Sequence, residues 1–153
     1  MANSDQTIAT PWIFVEAVEK FLGIEFRYDM AADGQNTKAE IFFTEKDDSL
    51  NIDWPLDGWI WINPPFNKLG PWIKKMREQQ KRGCKIISVF PLATGQNRDP
   101  AWLHSNVHMV HNHRLWPEVR DIMICEWSQG DQLTPTSIKW NRDTGKLTKG
   151  LNK

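Results

Sequence analysis

The most constraining feature of this sequence is a short apolar run, Trp59–Ile62, that stops abruptly at Asn63-Pro64-Pro65-Phe66. Four consecutive residues that favour β structure predict a buried strand. Neither proline can donate a ladder hydrogen bond, so the strand has to end where they begin. The sequence therefore predicts a polar amide and a stiff proline turn directly at the end of a core strand.

Helices and strands alternate around this run. Thr10-Pro11 predicts a helix start with a hydroxyl cap, and Gly23 predicts its end. A second helix is predicted from Pro71 to Gly83, and a short third one spans Asp99–His104. Strands are predicted at residues 24–28, 50–52, 59–62, 85–90, 107–110, 122–127 and 137–140. This order indicates one α/β domain over residues 1–153 with antiparallel edge strands, and flexible ends at 1–6 and about 141–153.

Composition and charge argue against a secreted protein, a membrane protein and a protein that coats nucleic acid without sequence preference. The 153 residues suit one domain, and 40% hydrophobic with 25% charged residues is typical of a soluble protein. No apolar run approaches the roughly 18 residues of a membrane span, and no leader opens the chain. Cys84 and Cys125 lie far apart in sequence, which predicts reduced thiols and a cytoplasmic protein. Equal numbers of basic and acidic residues, 19 each, disfavour unspecific coating of nucleic acid but leave room for a local basic face.

Two residue types allow more than one interpretation. Nine tryptophans against one tyrosine either fill the core or include one or two rings that stack on a planar ligand such as a base. The histidines at 104, 108, 111 and 113 cluster in sequence, but their spacing suits a strand and a turn, and no metal is predicted. No Ser-His-Asp order or phosphate-cradling glycine loop appears, which argues against hydrolases and nucleotide triphosphatases.

Three polar or proline positions fall at predicted strand ends: Asp29, Asn63 and Pro91. Because ligands of such sheets bind beyond the carboxyl ends of the strands, these positions point to one site. The Asn63 amide and the proline carbonyls can accept hydrogen bonds from an exocyclic amino group, and Phe66 offers a face on which its ring can stack. The alternative is a structural proline turn after a strand.

The sequence resembles the phage-type N-6 adenine DNA methyltransferases, which use S-adenosylmethionine. The resemblance covers about residues 10–127 and rests on several motifs in order. These are Thr10-Pro11, Asp29 with Ala31-Ala32 and Asn36, Phe43-Thr44-Glu45, Asp48-Ser49-Leu50, Asp53-Trp54, Trp61-Ile62-Asn63-Pro64-Pro65-Phe66, Pro71-Trp72 and Phe90-Pro91. It implies a compact, reduced, Rossmann-like methyltransferase sheet.

The resemblance also implies roles for individual residues. Asn63, Pro64, Pro65 and Phe66 would hold and polarise the target adenine. The cofactor-binding residues would be Thr10, Pro11, Asp29, Ala31, Asp48, Asp53 and Trp54. Alternatives stay open, since Asp29 and Asp53 also suit turns, Trp54 suits the core and Thr10-Pro11 suits a simple cap. Only 24 positions separate Asp29 from Asp53, little room for the usual ribose-binding acid, so Glu45, Asp47 or Asp48 would have to replace it.

Arginines near the predicted strand ends are the expected DNA contacts. Arg98, Arg114 and Arg120 are predicted to meet phosphates or bases, although charged residues are often merely solvated. The basic tail from Lys139 to Lys153 is expected to contribute less, because no predicted element ties it to the site.

The resulting expectation is methylation of the 6-amino group of adenine in DNA, with the base flipped out or single-stranded. The expected location is the cytoplasm, that of the host cell if the chain is phage-encoded, without membrane contact. Two alternatives remain: a methyltransferase that acts on RNA or on a protein glutamine, and a catalytically silent protein that binds DNA or a partner.

Overall fold

The computed structural model describes residues 10–32, 37–111, 119 and 121–150, and eight strands in this part of the chain form one open sheet. The helices are α1 (Trp12–Leu22), α2 (Leu69–Arg82) and α3 (Asp99–His104). The strands are β1 (Phe26–Asp29), β2 (Ile41–Phe42), β3 (Trp59–Ile62), β4 (Lys85–Pro91), β5 (Asn106–Val110), β6 (Ile122–Trp127), β7 (Thr136–Asn141) and β8 (Lys146–Lys149). The predicted α/β class is confirmed.

The sheet order is β2-β1-β3-β4-β6-β5-β7-β8. Strands β2, β1, β3 and β4 are mutually parallel, and β6 runs antiparallel between β4 and β5. Strand β7 is parallel to β5, and β8 is antiparallel at one edge as predicted, whereas β2 at the other edge is parallel. Strands β1, β3 and β4 therefore all end on one side of the sheet, which we call the carboxyl edge.

Each face of the sheet carries its own hydrophobic core. Alternation along β3 sends Trp61 to one face and Ile60 and Ile62 to the other, and all three are fully buried. Helix α1 covers the Trp61 face with Phe14 and neighbouring side chains. Helices α2 and α3 cover the opposite face. The predicted apolar run is thus a two-sided core strand.

Several element boundaries differ from the prediction. Helix α1 begins at Trp12 with Pro11 as its cap, and Thr10 does not cap it. Helix α2 begins at Leu69, and Pro71 lies in its first turn, where a missing N–H is tolerated. Gly23 and Gly83 end these helices as predicted, in left-handed conformations with φ of 71° and 109°.

The predicted strand at 50–52 is wrong, because Ser49–Asn51 forms a single 3₁₀ turn. Its cause is local: the Asn51 side chain donates to the Asp48 carboxylate at 2.8 Å, and its backbone N–H donates to the Asp48 carbonyl at 2.9 Å. The strand that pairs with β1 on its outer side is the two-residue strand β2, which is too short to show any alternation in the sequence.

Residues 141–149, expected to be part of a flexible tail, instead form the end of β7, a turn and β8. Strand β8 pairs with β7 from Lys146 to Lys149, and Leu147 is buried against the α1 face. None of the described helices is long and apolar enough to cross a membrane.

Candidate active site

Asn63 and Asp29 come together at the carboxyl edge of neighbouring strands. Asp29, the last residue of β1, lies opposite Trp61 of β3, and the Met30 N–H donates to the Trp61 carbonyl at 3.3 Å. Asn63 follows β3 directly because Pro64 ends the strand. The convergence predicted from strand ends is therefore present.

The Asn63 side chain is held by a residue 53 positions earlier in the sequence. Its Nδ2 donates to the Thr10 Oγ1 at 2.9 Å, and Thr10 is only 2% exposed. Asn63 Oδ1 is buried and has no hydrogen-bond partner among the described residues. A buried acceptor without a donor costs about 1–3 kcal/mol, and such groups call for an explanation such as a ligand that completes the bond.

The remaining residues of the motif form a compact turn. Pro64 is buried, and the Pro65 carbonyl accepts a hydrogen bond from the Lys68 N–H at 3.1 Å within the 3₁₀ turn Phe66–Lys68. The prediction that both proline carbonyls are free is therefore wrong for Pro65. Phe66 is partly buried and packs against both cores, which anchors its ring at this edge.

Asp29 organises the loop after β1. It is 3% exposed, and its two carboxylate oxygens accept from the Ala31 N–H at 3.1 Å and the Lys38 N–H at 2.8 Å. Because these two amides stand at opposite ends of the loop, one buried carboxylate fixes both ends. Gly34 and Asn36, also singled out in the sequence, lie outside the described residues.

Three acidic residues follow β2 at the same edge, where the Phe43 N–H donates to the Asp29 carbonyl at 2.8 Å. Asp47 accepts from the Thr44 N–H at 2.7 Å, and Asp48 accepts from the Asn51 side chain at 2.8 Å. The exposed Glu45 carboxylate forms no hydrogen bond or ion pair with the described part of the chain. All three acids are exposed, and Glu45 is the one whose carboxylate has no partner among the described residues.

The structure does not bring Asp53-Trp54 to the carboxyl edge. Asp53 lies 3.7 Å from Arg82 and accepts from Gln79 at 3.4 Å, and both partners stand in the last turn of α2. That turn directly precedes β4, so it lies at the edge of the sheet opposite Asn63. Trp54 is 1% exposed and donates from its ring nitrogen to the Ser49 carbonyl at 2.8 Å, which leaves no face for a ligand.

Arg98, which was predicted to contact DNA, is bound instead to backbone carbonyls of the protein itself. Arg98 is 6% exposed, and its guanidinium donates to the Pro91 carbonyl at 3.1 and 3.0 Å and to the Gln96 carbonyl at 2.9 Å. Burial lowers the pKa of this guanidinium. These hydrogen bonds hold the loop after β4 and leave little of the guanidinium exposed to a ligand. Arg114 and Arg120 lie outside the described residues.

An exposed aromatic residue, which the sequence analysis did not single out, stands beside the site. Trp12 at the start of α1 is 53% exposed, and the Lys38 ammonium lies 5.3 Å from its ring centroid. Trp12 lies at the carboxyl edge because it belongs to the first turn of α1, two residues after Thr10.

A cleft of about 470 Å³ lies at the opposite edge, between the end of α2 and the loop after β6. Arg77, Lys81 and His104 line it, and the Gln129 side chain caps the last carbonyls of α2 there. It contains none of the residues of the NPPF motif and is separate from the candidate site.

Comparisons with known proteins agree on one family. The sequence profile described as DNA N-6-adenine-methyltransferase (Dam) matches residues 2–116. A DNA N-6-adenine-methyltransferase of Haemophilus phage HP1 (strain HP1c1) is 32% identical over 97 residues, 63% of this chain and 56% of that protein. One of Escherichia phage T1 is 25% identical over 157 residues, 99% of this chain and 62% of that protein. The chain thus spans about three fifths of the length of the relatives it matches.

Proposed function

The chain belongs to the DNA N-6-adenine-methyltransferase (Dam) family, and from this premise we propose that it transfers a methyl group from S-adenosylmethionine to the 6-amino nitrogen of adenine in DNA. The observation that carries the proposal is the Asn63 side chain at the carboxyl edge. One end of its amide is held by Thr10, and the other is a buried acceptor without a donor among the described residues.

Asn63 Oδ1 would accept a hydrogen bond from the 6-amino group of the target base. The lone pair of that nitrogen is delocalised into the ring, which makes it a weak nucleophile. A fixed acceptor on one N–H, assisted by the Pro64 carbonyl on the other, increases electron density on the nitrogen and places it for attack. As the N–C bond forms, the carbon–sulfur bond would break and the donor would leave as a neutral thioether. The N–H that Asn63 holds would become more acidic, and its proton would be released to water.

The residues around Asn63 fit a cofactor that carries a carboxylate, a ribose and a sulfonium group. No described side chain caps the start of α1, so its first amides and the helix dipole favour the methionine carboxylate. Asp29 holds the loop after β1 in shape, with Ala31 small enough for close approach. Glu45 is the proposed acceptor for the ribose hydroxyls, in place of Asp48. When bound, S-adenosylmethionine supplies an electrophilic methyl carbon, and no metal is required.

The target adenine has to leave its base pair, because the 6-amino group is engaged in Watson–Crick pairing in a duplex. Phe66, anchored between the two cores, is the proposed stacking surface for the extruded base. A flipped or single-stranded adenine satisfies both the stacking face and the Asn63 acceptor at once.

The test is methyl transfer by wild type, Asn63→Ala and Asn67→Ala, measured as incorporation of labelled methyl into an adenine-containing duplex. Loss of the positioned acceptor should lower the rate by about 10²–10³. Asn67 is an exposed amide in the next turn, so its variant should stay within about twofold of wild type. Calorimetric affinity for S-adenosylmethionine should change by no more than a few-fold in either variant.

Undiminished methylation by Asn63→Ala would refute the assigned role of Asn63. Failure of the wild type to bind millimolar S-adenosylmethionine would refute the enzymatic function itself and favour a silent binding protein.

A further inference from the structure

The turn between β7 and β8 lies at the carboxyl edge, although its sequence belongs to the basic tail. In the sheet register, Val110 of β5 pairs with Ile122 of β6, and Ile122 pairs with Pro91 at the end of β4. Strand β5 therefore ends at the carboxyl edge. Strand β7 runs parallel to β5, with Ile138 level with Val110, and continues to Asn141. Residues 142–145 therefore project from the same edge as Asn63, about four strand spacings or 19 Å away along the sheet.

Helix α1 ties this turn to the candidate site. A Cβ added at Gly145 would lie 2.7 Å from the Ile13 Cδ1, so the turn packs directly on the first turn of α1. Thr10, three residues before Ile13, is the residue that holds Asn63. The expectation that the basic tail has no tether to the site is therefore wrong.

The turn is also closed by its own hydrogen bonds. Asn141 Oδ1 accepts from the Asp143 and Thr144 N–H groups at 2.8 and 3.1 Å, and the Gly145 N–H donates to the Asn141 carbonyl at 2.8 Å. Gly145 has a φ of 67°, which suits glycine. The side chains of this turn start from a fixed backbone.

The exposed groups on this part of the edge are the cations Arg142 and Lys146, the carboxylate Asp143, and aromatic and apolar side chains. Arg142 and Lys146 are exposed and form no ion pair with the described residues. Trp12, 53% exposed, and Ile13, 48% exposed, lie on the first turn of α1, against which the turn packs. Two cations without an ion pair, against one carboxylate, leave the turn with a net positive charge, which favours contact with phosphates of a nucleic-acid strand.

We propose that this turn surface, formed by Arg142 and Lys146, binds the backbone of the DNA that carries the target adenine. The inference rests on the proposed function. It assigns the DNA contacts to the β7–β8 hairpin, which lies outside the sequence motifs and beyond residue 116, where the family match ends. The distance of about 19 Å corresponds to five or six base-pair steps of about 3.4 Å along a duplex. Arg142 and Lys146 therefore reach phosphates that flank the flipped base, while Asn63 holds the base itself.

The test is the salt dependence of DNA binding by an Arg142→Ala/Lys146→Ala double variant. Each lost phosphate contact lowers the slope of log affinity against log salt by about 0.9, so the double variant should lose about 1.8. The probe is a fluorescein-labelled, adenine-containing duplex followed by anisotropy in the presence of S-adenosylmethionine. Calorimetric affinity for S-adenosylmethionine should stay at the wild-type value, which also verifies folding.

The matched control is Lys20→Ala/Lys81→Ala, which removes the same net charge. Both lysines are exposed in the last turns of α1 and α2, at the opposite edge of the sheet, so the salt slope should equal that of wild type. Equal slopes for wild type and the Arg142/Lys146 variant, while wild type still methylates adenine, would overturn this inference alone. An equal loss of salt slope in the control variant would show that net charge, and not this turn, determines DNA binding, and would also overturn the inference. Wild type that neither binds the duplex nor methylates it would refute both proposals.

Discussion

Replacing Thr10 with valine removes the one described hydrogen bond that orients the Asn63 side chain. Valine keeps the shape of threonine, so the change removes the Oγ1 acceptor at 2.9 Å from Asn63 Nδ2 and little else. Thr10 is buried, so water has little access to replace that acceptor. The loss strands an amide donor, which costs about 1–3 kcal/mol, and leaves Asn63 to rotate among several orientations.

We expect Thr10→Val to lower the rate of methyl transfer by about 10- to 100-fold, or about 1.4–2.7 kcal/mol of transition-state stabilisation. This is less than the about 10²–10³ expected for Asn63→Ala, because the acceptor is still present part of the time. Single-turnover incorporation of labelled methyl into an adenine-containing duplex measures the chemical step. Thr10→Ser retains the hydroxyl and is the matched control, expected near the wild-type rate.

A double-mutant cycle tests whether Thr10 acts on catalysis through Asn63. If Thr10 acts through Asn63, adding Thr10→Val to Asn63→Ala should cause almost no further loss. The same factor of loss in both backgrounds would show that Thr10 acts independently, for example through the cofactor at the start of α1. A wild-type rate for Thr10→Val alone would show that the hydrogen bond does not matter for catalysis.

Three further outcomes follow from single contacts. Arg98→Ala should lower the free energy of unfolding by about 2–3 kcal/mol in urea, followed by tryptophan fluorescence, without changing the salt slope of DNA binding. Glu45→Gln should weaken S-adenosylmethionine roughly tenfold in calorimetry, whereas Asp48→Asn should not. Burial raises the pKa of the Cys125 thiol from 9.0 to about 12, so the folded chain keeps a proton that the unfolded chain releases. The free energy of unfolding should therefore fall from pH 9 to 12, by up to about 1.4 kcal/mol per unit from this thiol, and Cys125→Ala should reduce the decline. The decline that remains comes in part from Cys84, because burial raises the pKa of that thiol as well.

Much of the fold could be predicted from local sequence. Strand β3 and its end at Asn63 were predicted residue by residue, because two-sided burial and two prolines act on neighbouring positions. The ends of α1 and α2 were likewise predicted, since only glycine adopts the left-handed caps at Gly23 and Gly83 without strain. Strand β2 was missed because two residues are too few to show a period.

The candidate site likewise combines features that the sequence predicts with features that only the fold decides. The chemistry of Asn63-Pro64-Pro65-Phe66 and the convergence of Asp29 with Asn63 follow from residue type and from the rule that parallel strands end together, so the sequence alone was sufficient. Packing decided which polar groups have partners within the protein: Arg98 is buried and bound to backbone carbonyls, and Asp53 pairs with Arg82 away from Asn63.

The tertiary structure alone decided the remaining contacts of the site. The bond from Thr10 to Asn63 joins residues 53 positions apart, and Gly145 meets Ile13 across most of the chain. No local period or cap encodes such pairs. They arise because α1 packs on one face of the sheet and because β7 and β8 carry the basic tail back to the edge where β3 ends. Residue types determine which chemistry is available, whereas long-range packing determines which groups are close enough, and free enough, to use it.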